Sequence, residues 1–307
     1  MSQGKKTALA VAGVLVLCGL ILGTAALGLK GFDLRRMNTV KLESGSQVVT
    51  EPFDQLSLGV TALDVTILPA TDGRTRVEWL APADLPPQVR VENGMLVILE
   101  SAKEDGAWYE DVNFTWGEAP WVTVYLARTE LEFLSVAGAS GDVTVEGVTA
   151  GLMTVSAISG DVALRNCAVA EATAEALEVT TGSGEITLEQ ITASSGRVYN
   201  PSGGVTMKDS SAKSMTLRAD SGGIRLENVE LTQGLLTTTS GNITLDRVAT
   251  EALSLSTHSG DVRGTLLSDL RYEVQTQSGT VEVPADVPEG GLCQVSTVSG
   301  DIKLREE

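Results

Sequence analysis

Asp142, Asp161, Glu185, Asp261 and Asp301 each follow a Ser-Gly pair, and carboxylates repeated at one offset could do chemistry. Set side by side, they would offer hard oxygen ligands to calcium, or the acid and base of a polysaccharide-cleaving enzyme. The row is interrupted at the same offset by Gly204, Gly223, Asn242 and Thr280, and the glycine-rich nonapeptide calcium repeat is absent. Turn formation, to which Asp and Asn side chains are suited, explains these residue types better than a metal or a catalytic pair does.

Aromatic residues make the second candidate. Six of the chain's twelve fall between Trp108 and Tyr125, in an acidic insertion running from Ser101 to Pro120. Trp108, Tyr109, Phe114, Trp116 and Trp121 could form a platform for stacking on sugar rings or peptide side chains. The competing reading is a cap that folds bulky residues over an open β edge.

Other chemistry finds little support. His258 stands alone, on an outward strand position, so it supports neither a Ser-His-Asp triad nor a zinc site. Cys167 and Cys293 occupy places where neighbouring repeats carry Val, Ile or Leu, which reads as two buried free thiols. Phosphate-binding and dinucleotide fingerprints are missing. The expectation is a protein that is not an enzyme, with no cofactor and no bound metal.

The elements that must position these residues follow from a repeat. Taking glycine as the anchor, Gly141, Gly160, Gly184, Gly203, Gly222, Gly241, Gly260, Gly279 and Gly300 are spaced by 19, 24, 19, 19, 19, 19, 19 and 21 residues, each preceded by serine. Two positions later every repeat has Val or Ile, from Val143 to Ile302. Five positions earlier every repeat is aliphatic, from Val136 to Val295. Alternation of period two on both sides of a glycine corner describes strand, corner, strand and a looser return. Glycine is expected at the corner because it accepts positive φ. A fixed period near 20 residues marks a solenoid, so the predicted fold is all-β: a parallel β-solenoid (β-helix) of ~19-residue coils about 4.8 Å apart. The 24-residue spacing coincides with Ala168 to Leu177, an alanine- and glutamate-rich run expected to be a loop or short helical bulge.

Upstream the pattern degenerates. Leu56, Leu58, Val65 and Ile67 flank Ala62-Leu63-Asp64 at the repeat's own offsets, and Val89, Val91, Leu96 and Ile98 flank Asn93-Gly94 likewise. These read as two further corners, with the solenoid beginning near Phe53. The expected organisation is a basic tail over 1–6, a transmembrane helix over 7–29, a linker over 30–50, degenerate coils over 51–134 containing the insertion 101–120, and regular repeats over 135–307.

The span rests on Thr7 to Leu29, which carries no charge; 23 helical residues reach about 35 Å, enough for a bilayer core. Thr24-Ala25-Ala26 offers a cleavage site for the rival reading, a signal peptide, although the apolar run exceeds the usual length of such a segment. Basic residues flank both sides, Lys5 and Lys6 before and Lys30, Arg35, Arg36 and Lys41 after. The short basic tail favours an N-terminus left inside and a solenoid outside the cytoplasm. From the totals of 22 basic and 40 acidic residues, six basic residues and Asp33 fall within the first 41, leaving 16 against 39 from Leu42 onward, a balance of −23. Such a surface repels nucleic acid and suits cationic partners.

The Ser-Gly-Asp, Ser-Gly-Glu and Ser-Gly-Asn corners followed by Val/Ile-x-Leu/Val, with the lead-ins Leu63-Asp64-Val65-Thr66-Ile67 and Val91-Glu92-Asn93-Gly94-Met95-Leu96, resemble the bacterial putative-adhesin β-solenoid family, a domain of unknown function. The resemblance covers roughly residues 50 to 305. It implies a cell-envelope location for membrane-linked members and brings no catalytic residues with it. The expected function is an envelope-anchored binding, adhesin-like or sensing module whose ligand is a cationic peptide or a glycan. The alternatives are a self-assembling scaffold resembling bactofilins and, third, a polysaccharide lyase or hydrolase.

Overall fold

The computed structural model describes residues 41–101, 118–170 and 176–307. Everything regular in them is strand, and no helix among them is long and apolar enough to cross a membrane. The transmembrane helix expected over Thr7 to Leu29 lies outside the described residues, as does 171–175 of the expected helical bulge. The flanks of that bulge are strand.

The middle of the molecule is the predicted parallel solenoid. Its strands are β8 (Glu130–Gly138), β9 (Val143–Glu146), β10 (Thr149–Ala157), β11 (Val162–Arg165), β12 (Ala168–Val169), β13 (Leu177–Thr181), β14 (Ile186–Glu189) and β15 (Thr192–Asn200). The longer β16 (Val205–Ala219), β17 (Ile224–Thr238) and β18 (Ile243–Ser259) follow. Each pairs in parallel with its counterpart one coil away, Val205 with Ile224 and Ile224 with Ile243, and the column continues into Val262. Val143, Val162, Ile186, Val205, Ile224, Ile243, Val262 and Ile302 are at most 1% exposed. The column before the corner, from Val136 to Leu255, is equally buried. Each such side chain contributes about 1.5–3 kcal/mol by leaving water.

Coils at both ends stack out of chain order. Ahead of the middle lie β1 (Leu42–Val48), β2 (Gln55–Val60), β3 (Asp64–Pro69), β4 (Arg76–Pro82), β5 (Gln88–Glu92), β6 (Met95–Leu99) and β7 (Trp121–Leu126). The coil β2–β3 packs directly on β8–β9, whereas β6–β7, later in sequence, packs outside it. At the other end are β19 (Val262–Leu266), β20 (Leu270–Ser278), β21 (Val281–Glu282), β22 (Gly291–Ser299) and β23 (Ile302–Glu306). Here β22 and β23 slot between β18–β19 and β20–β21, so the last coil of the chain is the penultimate coil of the rod.

Two expectations need correcting. Leu42–Val48, expected in the linker, form β1, which pairs antiparallel with β4, itself antiparallel to β7. Asn93-Gly94 is no solenoid corner: it turns the antiparallel hairpin β5–β6, with φ of 52° and 80°. Asn-Gly suits a two-residue hairpin turn because both residues tolerate left-handed backbone. β6 then pairs with β2, Leu96 beside Leu56 and Ile98 beside Leu58. The N-terminal end of the rod is thus closed by antiparallel strands on both walls, and the ring of Trp79 sits over Gly45, where a Cβ would meet the indole at 2.4 Å.

Candidate functional sites along the two corners

At the Ser-Gly corner, glycine is required chiefly by space. A Cβ on Gly222 would lie 2.0 Å from the carbonyl oxygen of Gly203, and one on Gly203 1.7 Å from that of Gly184. Left-handed φ belongs to some of these glycines, such as Gly160 at 116°, but close stacking belongs to every one from Gly141 to Gly300. The carbonyls so crowded are satisfied from within. Thr181, Thr238 and Thr257 are buried, and their Oγ1 atoms donate to the corner glycine of the preceding coil at 2.9–3.0 Å. Asn200 does the same through Nδ2 to Gly184 at 2.8 Å.

The carboxylates after the corner are committed to architecture. Asp64 Oδ1 accepts the N–H of Asp142 at 3.0 Å, Asp142 that of Asp161 at 2.8 Å, and Asp161 that of Glu185 at 2.8 Å. Past the gap, Asn242 Oδ1 accepts from Asp261, Asp261 from Asp301, and Asp301 from both the N–H and the hydroxyl of Thr280. Hydrogen bonds from Thr280, joined by Lys303, pull the Asp301 carboxyl down to about 2. Among the described residues, no group of three His, Cys, Asp or Glu side chains is arranged to hold a metal ion. Turn chemistry, extended into a ladder between coils, explains this row.

Trp108, Tyr109, Phe114 and Trp116 lie outside the described residues. Glu100 and Pro120, on either side of their segment, lie beside Thr61, Ala62 and Asp64 of the corner between β2 and β3. There Glu100 Oε2 accepts the N–H groups of Thr61 and Ala62, Ser101 Oγ donates to Pro86 O at 2.6 Å, and Pro120 O accepts from Asp64. Trp121 opens β7, half-buried between Asp64 of β3 and Leu80 of β4. Two positions beyond Thr123, Tyr125 carries the guanidinium of Arg76 at 3.8 Å from its ring centre.

A second corner, six residues after each glycine from Gly141 to Gly241, escapes the sequence reading. Gly147, Asn166, Gln190, Asp209, Asn228 and Arg247 all have φ between 49° and 66°. The signal that could have found it is this row's constant offset, hidden because its five non-glycine residues are of four types and only Asn and Asp are habitual left-handed residues. Their side chains point out of the rod, exposed except for the half-buried Asn228. Arg247 Nε donates to Asn228 Oδ1 and Asn228 Nδ2 donates to Asp209 Oδ1, each at 2.7 Å. With Thr192, Ser211 and Glu230 they line an open groove of about 730 Å³ that runs across successive coils. Beside it a charged row alternates in sign, with Arg165–Glu189 at 3.7 Å and Lys208–Glu227 at 3.6 Å.

Cys167 and Cys293 are buried free thiols, as expected, and burial pushes Cys293 up to about 12. His258 is exposed. Neither thiol nor imidazole faces a partner suited to nucleophilic catalysis.

This architecture defines a parallel β-solenoid whose corners, rather than an interior cavity, present its functional groups. The chain belongs to the Toastrack DUF4097 family, whose model matches residues 53–305. It is similar in fold to a putative adhesin from Parabacteroides distasonis, at 13% identity and a TM-score of 0.51, over 87% of this chain and 98% of that one. A putative adhesin from Bacteroides fragilis is 14% identical with a TM-score of 0.41, over 87% and 99% of the two chains. A putative lipid binding protein, also from Parabacteroides distasonis, is 9% identical with a TM-score of 0.36, over 87% and 98%. No curated protein matches the chain.

Proposed function

We propose that this chain is a non-enzymatic, envelope-anchored solenoid that holds an envelope glycan along its second corner. The observation that carries the reading is the groove from Asn166 to Arg247, where an amide, carboxylate or guanidinium group recurs once per coil on a left-handed residue, beside the hydroxyls of Thr192 and Ser211. A linear polymer laid along the rod would meet donors and acceptors at a regular step of about 4.8 Å. Hydroxyl-rich chains suit such a row, since each sugar offers both donors and acceptors. The Ser-Gly corner suits this less, because one oxygen of Asp142, Asp161, Asp261 and Asp301 is held by a backbone N–H of the neighbouring coil and Gly204 and Gly223 interrupt the row.

Trp108, Tyr109, Phe114, Trp116 and Trp121 would add stacking on sugar rings. The span from Thr7 to Leu29 supplies the anchor and the short basic tail the orientation, with the solenoid outside the cytoplasm. The adhesin names of the solved neighbours agree with binding rather than turnover. The scaffold alternative is less favoured, because antiparallel strands close one end of the rod and end-to-end growth requires two open ends.

Co-sedimentation of the full chain with isolated envelope polysaccharide tests the reading, alongside external protease on intact cells carrying a C-terminal tag. Polymer-dependent pelleting and cleavage of the tag support it. A chain that stays in the supernatant, or polysaccharide that is shortened during incubation, counts against it.

A further inference from the structure

The two ends of the rod are finished differently. β20 pairs with β22 on one side, and among the described residues no strand lies on its other side. Positions that are core elsewhere are consequently open. Val281 is 48% exposed where its equivalents are at most 1% exposed, and Val274 is only partly buried where its equivalents are at most 2% exposed.

The edge is covered for its first residues only. Val287 N–H donates to Leu270 O at 3.0 Å and Asp286 Oδ1 accepts from Tyr272 N–H at 2.8 Å. Backbone groups in a strand alternate sides, and Asp269 O faces inward to Gly291 N–H. Even-numbered residues of β20 therefore face outward. Past Tyr272, the N–H and C=O groups of Val274 and Thr276 find no strand to pair with among the described residues and form a short template beside the partly buried Val274 side chain, a feature that proteins otherwise blunt or pair.

Charge decides what fits. Residues 269–307, which build this end, hold eight Asp and Glu against three Lys and Arg. A second copy would bring like charge to like. We propose that the C-terminal end of the rod accepts an extended peptide as an added strand on β20, with aliphatic residues continuing the Val274 column and basic residues on the outward side. Main-chain hydrogen bonds supply affinity and alternate side chains supply selection in this mode of recognition. The site is separate from the glycan groove and does not depend on it.

The test titrates the full chain in detergent with a nonapeptide of sequence Lys-Val-Thr-Val-Lys-Val-Thr-Val-Lys and with its Glu-for-Lys counterpart. Saturable binding of the basic peptide is expected, at least about tenfold tighter than the acidic one. Val274→Pro removes an outward N–H without touching the β20–β22 ladder or the net charge, so it should abolish binding while leaving melting near wild type. If that variant melts early, Thr276→Pro, which removes the other outward N–H at no change of charge, takes its place, and slowed exchange of the Val274 and Thr276 amides in the wild type reads the same contact. Undiminished binding to both variants would reduce the effect to nonspecific charge and overturn the proposal. So would failure of the basic peptide to bind, or a dimer joined through β20 in sedimentation.

Discussion

The two corners of each coil use similar residue types for opposite purposes. At the Ser-Gly corner, Asp142, Asp161 and Asp301 lie along the surface of the rod and accept the next coil's N–H. Six residues on, Asn166, Gln190, Asp209, Asn228 and Arg247 absorb the left-handed bend in their own backbone, and the side chains of Asp209, Asn228 and Arg247 bond to one another. The first corner is held by contacts between coils and tolerates little change. The second is held by φ, which glycine accepts as readily as asparagine, so its side chains are free to vary with a ligand.

The largest contrast should come from the core behind the corners. Ile243→Asp loses about 1.5–3 kcal/mol of burial and adds the penalty of an unpaired carboxylate, so several coils should unfold. Wild-type melting of that variant would break the column of Val205, Ile224, Ile243 and Val262. Gly222→Ala comes next, because its Cβ would press on Gly203 O, at a cost of about 1–3 kcal/mol. Asn228→Gly keeps the left-handed backbone and loses only two surface side-chain hydrogen bonds, so it should cost no more than about 1 kcal/mol. Thermal denaturation of the pair Gly222→Ala and Asn228→Gly measures the asymmetry directly; equal losses would erase it.

A smaller effect separates the corners by pH. The Asp301 carboxyl is held at about 2, below the unfolded value near 3.9. Its stabilisation is therefore complete above that unfolded value and is lost as pH falls through about 2. Exchange at the Thr280 amide should rise over that window, and in Asp301→Asn the rise should flatten. The thiols give the alkaline counterpart. With Cys293 raised to about 12, stability falls as pH climbs from the unfolded thiol value of about 8.5, and Cys293 should resist alkylation until the rod unfolds.

The columns were legible in the sequence because a 19-residue period fixes which side chains face inward, whatever their neighbours. Stacking order was not. Coils with the same register are interchangeable as neighbours, so the order is decided by connections such as Val283–Gly290, which carries the chain back to the inner position of β22. Asn93-Gly94 shows the same limit: alternation around a turn fits either a corner or a hairpin, and here the Asn-Gly dipeptide's taste for left-handed backbone selected the hairpin. The carboxylate ladder was visible as a row, and its partners were not, since backbone N–H groups leave no mark on residue type. The second corner went unseen because Gln190 and Arg247 do not announce positive φ.

The most direct measurement is binding of isolated envelope polysaccharide to two variants made side by side. Gln190→Gly with Asn228→Gly strips the second corner of two side chains while preserving its backbone, and Asp161→Ala removes an inter-coil acceptor at a cost of about 1 kcal/mol. Loss of binding in the first and retention in the second, with melting only slightly lowered in both, is the predicted outcome. Binding that survives in the double variant and disappears in Asp161→Ala would contradict the assignment of the second corner as the binding face.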